Sequence, residues 1–174
     1  MIIYKDSLTG DEIISDTYNL TESPGVPGLW EVDCRNVTVG SEDFVLEGAN
    51  ASAEGDDAGD GVDAATEQKL DIVRDFRLNS IPRPDKKVGT KELKKYAKAV
   101  LENLKASGKA DQAKEFQDTA ADAVKKILGS WDTLDIYTGE SMTDPCMWVF
   151  VDYREDGVTP YALVWKHALE AMKV

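Results

Sequence analysis

The strongest constraint on the fold is a change in the spacing of apolar residues in the second half of the chain. Between residues 90 and 129 they recur every three or four positions in two successive runs, which Ser107-Gly108 separates. Such spacing is typical of amphipathic helices, and a short link between two of them predicts an antiparallel helical hairpin. We place the start of this hairpin at Thr90, a favourable N-terminal cap, and its end at Gly129.

Strand-like segments lie on both sides of the hairpin. Short apolar runs bounded by turn residues predict a β core made of residues 1–39, 69–82 and 131–174. Residues 69–82 are interpreted as one strand, and Pro27-Gly28 predicts a break before a strand that begins at Leu29. The Asp156-Gly157 pair predicts a hairpin turn. The expected class is therefore α+β, as a single domain over residues 1–174.

Charge is distributed very unevenly along the chain. The net charge is −13, yet residues 83–129 hold 12 basic and 7 acidic side chains. Residues 40–67 are small and acidic, and they bury too little apolar surface to offset the entropy of ordering, so we predict a long flexible acidic loop there. Two oppositely charged faces are expected. Because nonspecific nucleic-acid binding needs the opposite overall balance, no nucleic-acid partner is expected.

Cysteine and histidine are scarce, and this limits the chemistry. Cys34, Cys146 and His167 are the only such residues in the chain. A structural zinc site built from these residue types takes four ligands, so no zinc is expected. We interpret both cysteines as packing residues and His167 as a surface residue. With no catalytic constellation in the sequence, we expect neither an enzyme nor an organic cofactor.

The same sequence gives no sign of a membrane segment. Its apolar runs are only a few residues long, too short to cross a bilayer. The first residues lack the basic flank and apolar stretch of a signal peptide. We therefore expect a cytoplasmic protein without membrane insertion.

Three long motifs, found in order, carry a family resemblance. They are the opening residues 1–6 with Asp11-Glu12, the segment 48–55, and residues 137–141 followed by 152–161. Together they resemble the translationally controlled tumour protein family nearly end to end. The resemblance implies a tent-like, mostly antiparallel β core with a projecting helical hairpin and a long flexible loop. It also implies a non-enzymatic regulator of growth and survival that binds other proteins and that some relatives export without a signal peptide. Some members form dimers through a C-terminal cysteine, and Val174 stands there in this chain, so a monomer is expected.

The resemblance further implies a site for a Rheb-type small GTPase at Glu12, near a cavity that Glu140 also lines. The protein would act there as an exchange factor or as a chaperone of the nucleotide-free GTPase. A carboxylate offered to a GTPase can compete for the P-loop lysine or perturb Mg²⁺, and both loosen the nucleotide. The alternative is structural, with Glu12 an exposed turn residue and Glu140 satisfying backbone N–H groups inside its motif.

A second function that the resemblance implies is binding of calcium and tubulin. Clustered carboxylates attract Ca²⁺ weakly without a formed cage, and the candidate ligands in the acidic loop are Asp56, Asp57 and Asp60. The implied tubulin contact is a set of lysines that share one helix face: Lys87, Lys91, Lys94 and Lys98. Such a stripe would attract acidic tubulin tails, and the alternative is a solvated helix face.

Overall fold

The structure, a computed structural model, describes residues 1–39 and 67–174. The strands in these residues are β1 (Ile2–Asp6), β2 (Glu12–Ser15), β3 (Leu20–Ser23), β4 (Val26–Asp33), β5 (Asn36–Val39), β6 (Glu67–Leu70), β7 (Asn79–Ile81), β8 (Asp135–Thr138), β9 (Trp148–Tyr153), β10 (Pro160–Trp165) and β11 (Leu169–Lys173). The helices are α1 (Asp71–Phe76), α2 (Lys86–Ala106) and α3 (Ala110–Gly129). Within these ranges, no helix is both long and apolar enough to cross a membrane.

The strands form two sheets and a two-stranded ribbon. The larger sheet has the order β3-β4-β10-β9-β8-β7, the smaller has the order β11-β1-β2, and β5 pairs with β6 in the ribbon. Each of these pairs is antiparallel. The predicted α+β class with an antiparallel β core is therefore confirmed.

The helical hairpin is confirmed, but its start is corrected. α2 begins at Lys86, four residues before the predicted cap. Thr90 lies inside the helix, where its hydroxyl donates to the Lys86 carbonyl at 2.8 Å, so it caps nothing. At the other end Ser107 caps α2, within the predicted Ser107-Gly108 link, and Gly108 takes a φ of +74° that an L side chain rarely adopts.

Aromatic packing joins the hairpin to the larger sheet. The Tyr96 ring of α2 stacks on Trp165 of β10 with 5.5 Å between centroids, and the Phe116 ring of α3 meets the same indole edge-on at 5.6 Å. Burial of three large rings in one cluster supplies much of the apolar stabilisation between the two layers. The hairpin is thereby a fixed part of the core.

The predicted break at Pro27-Gly28 is wrong, because β4 runs through both residues. Pairing of β4 with β10 begins at Leu29, and an irregularity in its pairing with β3 leaves Pro27 and Gly28 without a register partner in either neighbouring strand. Proline is tolerated there because no ladder hydrogen bond is lost. Gly28 serves packing, since a Cβ at this position would lie 2.5 Å from Thr119 Oγ1 of α3.

Residues 69–82 are not a single strand, so that prediction is wrong. β6 ends at Leu70, α1 follows, and β7 begins only at Asn79. The turn into the helix is fixed by Asp71, whose carboxylate accepts the backbone N–H groups of Ile72 at 2.9 Å and Arg35 at 3.2 Å. A helix of six residues is too short for a helical period to stand out in the sequence.

The side chains of both cysteines and of the histidine are at least partly buried. Burial raises the pKa of the Cys34 thiol to about 12 and that of Cys146 to about 11, so both stay protonated at neutral pH, in keeping with a packing role. The prediction for His167 is wrong, because its side chain is only 8% exposed. Its Nε2 lies 2.8 Å from Oε2 of Glu115, so it joins the turn before β11 to α3.

Candidate partner-binding cleft

An open cleft of about 440 Å³ lies where three segments of the chain meet. These segments are the turn between β1 and β2, the C-terminal end of α1 and the residues just after β8. The lining residues are Gly10, Asp11, Glu12, Asp75, Phe76, Arg77 and Glu140. The structure therefore brings Glu12 and Glu140 to one cleft, although 128 positions separate them in the chain. Their binding role stays a prediction.

Glu12 presents an exposed carboxylate from a rigid base. It is the first residue of β2, and the next two residues, Ile13 and Ile14, are each 1% exposed and anchor the strand in the core. Within the described part of the chain, the Glu12 carboxylate has no hydrogen-bond or ion-pair partner. A fixed backbone with an uncommitted charge suits a contact to another molecule.

Glu140 is also exposed, but its carboxylate has a partner. Its Oε1 lies 3.4 Å from Nη1 of Arg77. The structural alternative for Glu140 is wrong, because the backbone N–H of Ser141 donates to Asp11 instead, at 3.3 Å to each carboxylate oxygen. The two glutamates thus differ. Glu12 has no partner in the described residues, whereas Glu140 pairs with Arg77 of the same chain.

Asp11 fixes the position of the segment that carries Glu140, a role that sequence reasoning missed. Its Oδ2 accepts the Ser141 hydroxyl at 2.6 Å and the Thr9 hydroxyl at 3.1 Å. The backbone at Gly139 is so close that a Cβ there would lie 2.5 Å from the same oxygen. Nothing in a single sequence reveals this contact, because Asp11 and Ser141 are 130 positions apart.

The remaining walls of the cleft come from the end of α1. Asp75 accepts the Tyr18 hydroxyl at 2.6 Å and Nε of Arg74 at 2.9 Å, so its carboxylate is committed. Burial and this hydrogen bond raise the pKa of the Tyr18 hydroxyl. Among the described residues that line the cleft, Arg77 alone carries a positive charge.

Asp6, at the end of β1, joins the β1–β2 turn to the rest of the core. It is 1% exposed. Its carboxylate accepts hydrogen bonds from the Leu8 N–H, the Thr9 hydroxyl, the Tyr96 hydroxyl and the Met147 N–H. These donors lie on the β1–β2 turn, on α2 and just before β9, so one buried carboxylate joins three segments. Burial raises the pKa of Asp6 above its ordinary value.

The lysine face is the second candidate surface. It consists of Lys87, Lys91, Lys94 and Lys98, all of which lie on α2 and are exposed. In the described residues none of the four has an ion-pair partner, whereas their neighbour Lys95 binds Asp144 at 2.8 Å. The four lysines therefore lie on one exposed helix face, and no ion pair within the described residues offsets their charge.

The predicted calcium ligands Asp56, Asp57 and Asp60 lie outside the described residues. In residues 1–39 and 67–174, no three His, Cys, Asp or Glu side chains are grouped so as to hold a metal ion.

Comparisons with known proteins agree with this architecture. A sequence profile of the family described as translationally controlled tumour protein matches residues 1–170. The translationally-controlled tumor protein homologs of Aspergillus oryzae and Alternaria alternata are 50% and 51% identical to the chain, with 100% of both chains covered. The solved structure of translationally controlled tumor-associated protein p23fyp from Schizosaccharomyces pombe has a TM-score of 0.77 and 39% identity over 100% of both chains. That of the Caenorhabditis elegans protein has a TM-score of 0.68 and 25% identity, covering 100% of this chain and 99% of the other. The chain therefore belongs to the translationally controlled tumour protein family.

Proposed function

We propose that the protein regulates a Rheb-type small GTPase by presenting the Glu12 carboxylate to it. Family membership supports a regulatory protein of the translationally controlled tumour protein type. The single observation that carries the proposal is the state of Glu12, which is exposed and unpartnered in the described structure yet fixed by a buried strand. Glu140, across the same cleft, supplies a second carboxylate.

The chemistry follows from how small GTPases hold their nucleotide. A P-loop lysine and Mg²⁺ neutralise the β- and γ-phosphates. A carboxylate inserted nearby forms a charge-assisted hydrogen bond with the lysine and repels the phosphates. Nucleotide affinity then falls, and the nucleotide-free GTPase is stabilised by the same contact. Exchange-factor activity and chaperone activity are two consequences of this one interaction.

A binding measurement with an isosteric variant tests the proposal. The affinity of nucleotide-depleted GTPase is measured for the native chain and for Glu12→Gln, which removes the charge and keeps the shape. We expect at least about a tenfold loss, because removal of one partner of a close charge pair costs about 2 kcal/mol or more. Glu155→Gln is the matched control, since Glu155 is an exposed residue outside the cleft.

The two possible roles are separated by the release rate of a fluorescent GDP. Acceleration that Glu12→Gln abolishes supports an exchange factor, and tight binding to the empty GTPase without acceleration supports a chaperone. Equal affinity of the native chain and Glu12→Gln for the GTPase would contradict this site.

The lysine face favours a second function, the binding of acidic tubulin tails. We propose that its positive charge attracts them, as long-range electrostatics predicts. Replacing Lys91, Lys94 and Lys98 by Gln should weaken binding to tubulin and reduce its salt dependence. The matched control replaces three exposed lysines elsewhere on the hairpin, namely Lys109, Lys114 and Lys125. Equal losses in both variants would mean that only net charge matters.

Weak calcium binding completes this second candidate function. We propose that Asp56, Asp57 and Asp60 attract Ca²⁺ through their clustered charge. A triple replacement by Asn should lower calcium binding in calorimetry, and an unchanged titration would contradict the assignment.

A further inference from the structure

Arg77 contributes a positive charge to the wall of the proposed binding cleft, beside the two glutamates. We propose that Arg77 is an internal competitor that holds Glu140 in the free protein, and that the cleft receives a basic side chain of the partner. This inference rests on the proposed function, because it names the chemical group that the same cleft recognises. It adds a residue that limits affinity and decides between the two ways in which a carboxylate can loosen a nucleotide.

The backbone at Arg77 is the first observation. Arg77 ends α1 with φ 55° and ψ 43°, and its backbone N–H donates to the Val73 carbonyl. This left-handed position at a helix end favours glycine or asparagine, because a Cβ is disfavoured there. In the described residues, the non-glycine positions with positive φ are Arg77 and Met142. Of these two, Arg77 lines the cleft, and a departure from local preference there points to a functional side chain.

The commitments of the four lining carboxylates are the second observation. Asp11 is bound to the Ser141 hydroxyl and Asp75 to the Tyr18 hydroxyl. Glu140 contacts the Arg77 guanidinium, and Glu12 has no partner in the described structure. Among the described lining residues, two carboxylates are thus available to a ligand, and one of them already binds a guanidinium of this chain. The contact of Arg77 with Glu140 shows that a guanidinium can approach this carboxylate.

Ligand number favours an organic cation over a metal ion. Ca²⁺ takes six to eight oxygen ligands, and Mg²⁺ requires a near-ideal octahedron. Two glutamates from different segments, with the other two carboxylates committed, suit one ammonium or guanidinium group better. A lysine or arginine of the partner would reach Glu12 directly and compete with Arg77 for Glu140. Release of nucleotide would then proceed through the lysine contact rather than through displacement of Mg²⁺.

Binding of a simple cation tests this inference without any GTPase. Arginine amide is titrated into ¹⁵N-labelled native chain and Arg77→Gln, and amide shifts are followed by NMR. Gln keeps the same backbone preference at this position and removes only the charge. We expect shifts around Glu12 and Glu140 in both proteins, with binding about 1.5- to 5-fold tighter in Arg77→Gln, the range for loss of an exposed ion pair. Arg35→Gln, an exposed arginine outside the cleft, is the control for net charge.

A second comparison shows whether Arg77 acts through Glu140. In a Glu140→Gln background, Arg77→Gln should leave the affinity for arginine amide unchanged, because the competition no longer exists. Equal or weaker binding by Arg77→Gln in the native background, or no cleft shifts in either protein, would overturn the inference. Failure of the proposed function has a different signature, since Glu12→Gln would then leave GTPase binding intact while the arginine-amide result still stands.

Discussion

Two carboxylates of the β1–β2 hairpin differ in burial and in hydrogen bonding. Asp6 ends β1 and is buried with four hydrogen-bond donors around it, whereas Glu12 begins β2 and is exposed with no partner in the described residues. A buried carboxylate is stable only when its donors are supplied, so Asp6 is committed to architecture. An exposed carboxylate on a rigid strand stays accessible to another molecule. The two carboxylates therefore differ in how many hydrogen-bond partners the described structure gives them, and the proposed function uses the one that has none.

The largest expected loss of stability comes from replacing the buried carboxylate, Asp6. Asp6→Ala leaves the Tyr96 hydroxyl and the Met147 N–H without their acceptor in the interior. We expect the free energy of unfolding to fall by about 3 kcal/mol, the sum of lost charge-assisted bonds and unsatisfied donors. Urea denaturation measures it, and a loss below about 0.5 kcal/mol would show that Asp6 is not the joint between the three segments.

A smaller loss of stability is expected at Gly139, where the backbone packs closely against Asp11. Gly139→Ala places a Cβ 2.5 Å from Asp11 Oδ2, so the backbone or the carboxylate must move. We expect a destabilisation of about 2 kcal/mol, typical of overpacking at a tight contact. Gly129→Ala is the control, because that position has no atom within 4 Å of an added Cβ. Equal thermal stability of the two variants would mean that the segment around Glu140 is loosely held.

The pH dependence of stability is the third test. Burial raises the folded pKa of Asp6 above 3.8, so between the unfolded and the folded pKa the native state binds more protons than the unfolded state. Stability from this group is therefore present below pH 3.8 and is lost as pH rises through the folded pKa, with a slope of about 1.4 kcal/mol per pH unit. Relative to Asp6→Asn, the native chain should lose stability as pH rises from 3.8. A difference that stays constant with pH would contradict the raised pKa.

The smallest expected change in stability is at the exposed carboxylate. Glu12→Gln should alter the free energy of unfolding by less than about 0.5 kcal/mol, because no intramolecular contact of the described structure is lost. The same urea experiment measures this. A loss comparable with that of Asp6→Ala would show that Glu12 is structural and would remove the basis of the comparison.

The parts of this fold that can be predicted from the sequence are those with a regular local pattern. The apolar spacing of α2 and α3 predicts the hairpin because it repeats over five turns or more, and Asp156-Gly157 predicts a turn that Gly157 makes with a φ of 72°. α1 is missed because six residues cannot display a period. The course of β4 through Pro27-Gly28 is missed because tolerance of proline there depends on pairing registers that only the folded sheet defines.

The cleft shows the same division between local and long-range information. Glu12 and Glu140 are named by resemblance alone, and their placement in one cleft follows from the fold. Arg77 and Asp11 could not be assigned, because their partners Glu140 and Ser141 are 63 and 130 positions away. The burial of His167 was likewise hidden, since it depends on packing against Glu115 of α3. A single sequence carries no signal for such pairs.

The most direct test is an amide-resolved NMR titration of the ¹⁵N-labelled chain with nucleotide-depleted Rheb-type GTPase. The proposed site predicts shifts concentrated at Glu12, Arg77 and Glu140, with the surroundings of buried Asp6 and the lysine face of α2 little affected. Shifts confined to the lysine face, or none at all at saturating GTPase, would contradict the claim that the uncommitted carboxylate is the one that meets the partner.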